Sequence, residues 1–181
     1  MARKRFEHMS AMIPKGARVL DVGADRREWE SRLKALDPSI SYKSQDINES
    51  QTHDFRHLSE IRESFDVILW MEVCEHLSPE EALESIRQFQ RILAPGGLVL
   101  ATTPNIWHPP QYLRDCTHRT PWAYDELGGA FVAGGLKIEG LWRLWNGSAL
   151  ERLWMATFGQ WLHRAVGLDF ARTLLVAARK T

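Results

Sequence analysis

The stretch Arg18-Val-Leu-Asp-Val-Gly-Ala-Asp-Arg-Arg27 decides the reading of the fold. Arg18 to Val22 is a short, largely apolar run introduced by Pro14-Lys15-Gly16, which reads as a strand after a turn. Gly23 follows, and then a polar helix predicted from about Arg27 to Leu36, with Trp29, Leu33 and Leu36 at helical spacing. Asp37-Pro38 stops it, because the residue before a proline avoids the helical region. Strand, glycine turn and helix in this order form the opening unit of a parallel sheet covered by helices.

The alternation continues along the chain. Ile40 to Gln45 reads as the second strand and ends at Asp46. Asn48 to Ser64 leaves room only for an abbreviated crossover, with Thr52 to Phe55 as a stub of strand. Phe65 to Met71 is continuously apolar but for Asp66, the pattern of a strand buried on both faces. Ser78-Pro79-Glu80-Glu81 supplies an N-cap, a proline at the first helical position and a capping-box glutamate. The apolar stripe of that helix is Ala82, Leu83, Ile86, Phe89, Ile92 and Leu93, closed by Pro95-Gly96-Gly97. Leu98 to Thr102 is the next strand. Residues 104–122, rich in Pro, His and aromatics, form a long connection of the kind that is usually functional. A helix from about Trp122 to Ala133, a strand at Leu136 to Leu144 and a turn at Asn146-Gly147 follow. An amphipathic segment from Ala149 to Leu168 and a last strand at Thr173 to Ala178 complete the pattern.

Composition bounds the function. The 181 residues fit one domain, 1–181, and 44% apolar content excludes a disordered or disulfide-framework chain. Twenty-three Lys+Arg balance 23 Asp+Glu, so there is no electrostatic footprint for nucleic acid, and Arg3-Lys4-Arg5 reads as a solvated tail. Cys74 and Cys116 read as reduced thiols, and no apolar run is long enough to span a membrane. The charged start is unlike a secretory signal, so a cytoplasmic protein is expected.

Ligands of open α/β sheets bind beyond the carboxyl ends of the strands. Those ends carry Asp21 and Gly23, Asp46, Glu72 and His76, and Thr103 to Asn105. One such carboxylate is more often a helix cap, but their recurrence suits a ligand with hydroxyls and a positive charge. The first turn lacks G-x-G-x-x-G, and Asp25 sets a negative charge where a pyrophosphate would lie. A phosphate-free nucleoside with a cationic group is favoured instead. A short-chain dehydrogenase is excluded, since Tyr42, Tyr112 and Tyr124 are followed four positions later by Asp46, Cys116 and Gly128 rather than lysine.

Val19-Leu-Asp-Val-Gly-Ala24, Phe65-Asp-Val-Ile-Leu-Trp-Met-Glu-Val-Cys-Glu-His-Leu77 and Leu93-Ala-Pro-Gly-Gly-Leu-Val-Leu100 together resemble the class I S-adenosylmethionine-dependent methyltransferases. The small-molecule group typified by ubiquinone-biosynthesis enzymes is nearest, and Glu126-Leu127 to Ile138 resembles its last helix and strand pair. The resemblance spans roughly residues 16–140. It implies a three-layer Rossmann-like fold, with a mostly parallel sheet of six or seven strands and an antiparallel last strand. It also implies roles by position. Asp21 and Gly23 would border the methionine moiety, Asp46 would accept from the ribose hydroxyls, and Ile47 would lie against the adenine. Asp54 and Phe55 would meet the adenine amino group and ring face, and Trp70, Met71 and Glu72 would line the cofactor's methionine and ribose side. The chain departs from the family where Asp25 and Arg27 replace two further glycines.

The expected function is methyl transfer from S-adenosylmethionine to a small-molecule acceptor, with a non-catalytic methyltransferase-like binding module as the alternative. If the acceptor must lose a proton, His76 and His118 are the candidate bases. The plainer reading of His76 is a hydrogen-bonded pair with Glu75 that fixes the turn before Ser78. Asp115 and His118 are expected to wall the acceptor pocket, since their Asp-x-x-His spacing resembles that region of related methyltransferases. No metal is expected: His53 and His57 stand four apart with neither a glutamate nor a third ligand placed by spacing. Leu150, Trp154, Phe158, Trp161 and Leu162 share a helix face opposite Arg152 and Arg164. A core-facing helix is expected there, ahead of a lid, a dimer face or a weak membrane-surface contact. With no N-terminal cover helices expected, the acceptor side would be built from residues 104–122 and 146–168. It would be open enough for a sugar or a lipid-linked intermediate, in a monomer or a homodimer.

Overall fold

The computed structural model describes residues 2–144, 153–167, 169 and 171–181. Trp145, the Asn146-Gly147 turn, Leu150 and Arg152 lie outside the described residues. Among the described residues six strands form one sheet: β1 Arg18–Val22, β2 Ser41–Gln45, β3 Phe65–Met71, β4 Leu93–Pro104, β5 Lys137–Leu144 and β6 Thr173–Arg179. Their order is β2-β1-β3-β4-β6-β5. The first four pair in parallel, and β6 runs antiparallel to both β4 and β5. The mostly parallel sheet with a reversed last strand is the predicted architecture. The stub before β3 is a single parallel bridge between Gln45 and Phe55, and the crossover holds only a short 3₁₀ turn at Leu58–Glu60.

Alternating strand residues feed two apolar layers. Leu20, Ile68, Trp70, Val99 and Val176 face one layer, covered by α3 Pro79–Ile92 and α5 Tyr124–Ala133. Trp70 meets Phe89 and Phe131 edge to face at centroid separations of 5.1 and 6.2 Å, an arrangement favoured by the ring quadrupoles. Val19, Val67, Leu69, Leu100 and Leu175 face the other layer, with Leu33 of α2 Glu28–Leu36. The capping box of α3 forms as predicted: the Glu81 amide donates to Ser78 Oγ and the Ser78 amide to the Glu81 carboxylate.

Two expectations are corrected. The N-terminal residues are not a bare tail, because Ala2–Ser10 forms a helix, α1. Phe6 stacks on Trp29 at 5.8 Å, His8 meets Trp142 edge-on at 4.9 Å, and Met9 is fully buried. The helix thus reaches from Trp29 of α2 to Trp142 of β5 across the sheet face, with Met9 in the core between them. This cover lies against the second apolar layer. The second correction concerns the aromatic segment, where α6 Gln160–Val166 continues from a π-helical turn at Met155–Gly159. Trp154 is 43% exposed, Phe158 48% and Trp161 60%, so they do not face the core. Both sheet faces are already covered by α1, α2, α3 and α5. The rings touch one another instead, at 5.4 Å for Trp154–Phe158 and 5.5 Å for Phe158–Trp161. No described helix is long and apolar enough to cross a membrane.

Candidate active site

The turn after β1 sets the floor of the site. Gly23 takes φ +72°, and its amide donates to the Gln45 carbonyl at 2.8 Å. A Cβ at Gly23 would come within 2.5 Å of Val73 Cγ2, so only glycine closes this turn against the residues after β3. Asp25 and Arg27 also sit at positive φ, 38° and 56°. The departure from the family's glycines is therefore in side chain and not in backbone. Side-chain and turn contacts hold the unusual conformations. The Asp25 amide donates to Asp46 Oδ2 at 2.8 Å, and Arg27 Nε donates to Glu30 at 3.0 Å. The Arg27 guanidinium also lies 3.5 Å from Asp54 Oδ2 and over the Tyr42 ring.

A cavity of about 710 Å³ opens beyond this turn. Of the residues assigned to the cofactor by sequence, Gly23, Asp46, Ile47, Trp70 and Glu72 line it, and His76 joins them. Asp46 Oδ1 also accepts from the Asn48 amide at 2.8 Å, so the carboxylate is rigidly aimed and keeps lone pairs for a ligand. Ile47 is 74% exposed and presents an apolar platform at the rim.

Four assigned residues do not line the cavity. Asp21 is buried, accepts from the Tyr42 hydroxyl at 2.6 Å, and has its carboxyl pushed up to about 6, chiefly by burial. Asp54 Oδ2 accepts from the Ser44 amide and hydroxyl at 2.9 and 3.1 Å, and Phe55 forms the bridge to Gln45. The Met71 sulfur accepts from the Thr102 hydroxyl at 3.7 Å. Among the lining residues the sequence reading missed are His57, Leu58, Ser59, Val73 and Arg119. The first three lie on the irregular crossover, where periodicity carries no signal.

A second cavity, about 300 Å³, is lined by Glu72, Glu75, His76, Pro104, Gln111, Arg114, Asp115 and His118. It shares Glu72 and His76 with the first. Glu72 sits at φ +56°, a strain of roughly 1–3 kcal/mol, with its amide donating to the Thr102 carbonyl at 2.9 Å. Glu75, 1% exposed, accepts from the Thr103 hydroxyl at 3.1 Å and from the Cys74 thiol. Burial first, then the charge of Glu72, pushes its carboxyl up to about 8. The plain Glu75–His76 pair is thus replaced by a partner on β4.

The loop over the second cavity is tied to the turn after β3. The amides of Arg119 and Thr120 donate to the Glu75 carbonyl at 2.7 and 3.1 Å. The Thr120 hydroxyl donates to the Leu77 carbonyl at 2.6 Å, and Trp122 Nε1 to the Cys74 carbonyl at 3.0 Å. This brings the His118 ring to 4.9 Å from His76. His118 Nδ1 lies 2.8 Å from the Tyr112 carbonyl of α4 Pro109–Tyr112, and His76 Nδ1 lies 3.0 Å from the Thr117 hydroxyl.

This fold recurs in known proteins. The family whose description is "Methyltransferase domain" matches residues 1–159. An S-adenosylmethionine-dependent methyltransferase from Archaeoglobus fulgidus superposes with a TM-score of 0.78 at 17% identity, over 99% of this chain and 93% of that one. Another from Mesorhizobium loti gives 0.71 at 16% identity, over 97% of each chain. A TehB-like one from Corynebacterium glutamicum gives 0.65 at 16% identity, over 96% of this chain and 85% of that one. No curated protein sequence matches the chain. The chain belongs to the methyltransferase-domain family. It is a class I methyltransferase, an enzyme of the class whose methyl donor is S-adenosylmethionine.

The larger cavity fits that donor on its own chemistry. It offers a glycine cradle closed by Val73, an aimed carboxylate for hydroxyls at Asp46, an apolar platform at Ile47 and an anionic wall at Glu72.

Proposed function

We propose that the chain transfers the methyl group of S-adenosylmethionine to a hydroxyl of a small, polar, sugar-like acceptor held in the 300 Å³ cavity. The observation that carries this reading is the sharing of Glu72 and His76 by the two cavities, which sets a ligand in each across the same side chains. When bound, the cofactor supplies an electrophilic methyl on a sulfonium, so the protein's task is orientation and proton removal. Asp46 would accept from the ribose hydroxyls, Ile47 would face the adenine, Gly23 would admit the methionine end, and Glu72 would face its cationic part. Asp21, Asp54, Phe55 and Met71 act from behind the lining, holding the turn and strand ends that carry those groups. His76 and His118 receive the acceptor's proton, and Asp115, Gln111 and Arg114 offer hydrogen bonds to its other hydroxyls.

The exposed Leu153, Trp154, Phe158 and Trp161 support a lipid-linked form of such an acceptor, presented at a membrane surface. The two free cysteines support a cytoplasmic location. The binding-module alternative rested on the altered glycine turn, and the positive φ angles of Asp25 and Arg27 remove that motive.

Calorimetry with S-adenosylhomocysteine, followed by transfer of an isotopically labelled methyl group to free and lipid-linked sugars, tests the reading. Binding weakened about tenfold or more by Asp46→Ala, and transfer depressed in His118→Ala, are expected. Wild-type protein that binds no S-adenosylhomocysteine, or His76→Ala and His118→Ala proteins with undiminished transfer, would overturn it.

A further inference from the structure

Glu75, His76 and His118 each offer one ligand atom, and these atoms lie within 4.8 Å of one another. The His53/His57 spacing promised two ligands without a third, whereas this group is assembled from the turn after β3 and the loop after β4. Hydrogen bonding settles which ring nitrogens are available. The Thr117 hydroxyl donates to Asp115 Oδ1 at 2.7 Å, so its oxygen accepts from His76 Nδ1 at 3.0 Å. The Tyr112 carbonyl can only accept, so His118 Nδ1, 2.8 Å away, carries the proton. In both neutral rings the lone pair then resides on Nε2. A carbonyl or hydroxyl on one imidazole nitrogen and a free lone pair on the other is the arrangement of metal-bound histidine. Glu75 adds a carboxyl group that is 1% exposed and fixed by Thr103 and Cys74, and an ion bound there would displace its proton to solvent.

We infer that Glu75, His76 and His118 form a binding site for a divalent transition-metal ion of zinc-like character, set between the cofactor and acceptor cavities. Two imidazoles and one carboxylate are the donor set of a zinc-like ion, and they leave positions open on the side of the 300 Å³ cavity. Ligand atoms around a four-coordinate zinc stand roughly 3.3 Å apart, for bonds of roughly 2.0 Å. Binding would therefore draw the three ligand atoms together from within 4.8 Å of one another. Glu72 and Asp115 line the same cavity and add negative charge around the ion. The catalytic consequence rests on the methyl-transfer reading. The ion would hold the acceptor's hydroxyl oxygen and acidify it, and the proton would leave by Asp115 to water. His76 and His118 would then serve as ligands, and the ion would acidify the hydroxyl in place of proton removal by the two imidazoles.

The test uses the full chain after chelation, titrated with Co²⁺ and with Zn²⁺, while S-adenosylhomocysteine binding is measured on the same samples. One ion per chain is expected, and Co²⁺ should give the intense visible bands of a four- or five-coordinate N/O site. His118→Ala and Glu75→Gln should each abolish those bands, and Thr117→Val should weaken uptake about tenfold by freeing the His76 ring. A cobalt spectrum like that of the hexaaqua ion in the wild-type protein would overturn the inference, whatever the variants do. So would uptake unchanged in His118→Ala. S-adenosylhomocysteine binding to the chelated protein tests the methyl-transfer reading separately, so failure of one does not pass for failure of the other.

Discussion

Replacing Asp21 by asparagine should change how the stability of this protein depends on pH. Asp21 is 1% exposed beneath the glycine turn, with the Tyr42 hydroxyl 2.6 Å from Oδ2. Burial raises its carboxyl from 3.8 to about 6 in the folded state. A raised acid binds its proton more tightly when folded, so its contribution to stability is complete below pH 3.8 and is lost as pH rises through 6. At about 1.4 kcal/mol per pH unit, this gap corresponds to a loss of about 3 kcal/mol between pH 3.5 and 7.5. Asparagine keeps an acceptor for Tyr42 and has no proton to lose. Urea unfolding of both proteins across that range should show the variant gaining on the wild type by about 3 kcal/mol, nearly all of it between pH 4 and 6.5. Glu75 titrates in both proteins and drops out of the difference. Two stability curves parallel within about 0.5 kcal/mol would refute an ionised, desolvated Asp21 at neutral pH.

The glycine turn separates two further substitutions. Gly23→Ala places a Cβ at 2.5 Å from Val73 in a left-handed conformation, so a loss of roughly 2–4 kcal/mol in urea unfolding is expected, with S-adenosylhomocysteine binding abolished. Arg27→Gly removes half-exposed contacts to Glu30 and Asp54 but relieves the positive φ. Its stability should lie within about 1 kcal/mol of wild type, and a loss above about 2 kcal/mol would mean that the Arg27 side chain holds the turn.

Much of this architecture is legible in sequence because its signals are local. The apolar run of β3 and the Ser78 capping box each act over a few residues, and the structure places strand and cap there, whereas Pro95-Gly96-Gly97, read as a stop before a strand at Leu98, falls inside β4 where its register with β3 shifts. Helix α1 escaped for the opposite reason. Its flanking charges mask a short apolar face, Phe6 and Met9, and the rings it meets, Trp29 at Phe6 and Trp142 at His8, are far along the chain. The aromatic segment before β6 shows a helical stripe without revealing which side faces water, since that depends on whether the sheet is already covered.

The site divides in the same way. Gly23, Asp46 and Glu72 follow directly from strand ends, and they line the larger cavity. The approach of His118 to His76 spans more than forty residues and is set by backbone bonds from Arg119 and Thr120 to Glu75, which carry no compositional mark. Asp21 and Asp54 illustrate a further limit. A carboxylate at a strand end reads the same whether it faces a ligand or, as here, a tyrosine and a serine behind the wall.

The strand order has a consequence for how the molecule is made. β6 lies between β4 and β5 and is synthesised after both, so a growing chain that has reached residue 172 holds two strands with no partner between them. Leu98 to Thr103 presents an open edge through that interval, and β5 can join the sheet only after Thr173–Arg179 arrives. Unpaired edges of this kind are where nascent chains associate wrongly. Sheet closure is therefore a late event in folding, and the seven residues of β6 complete both halves at once.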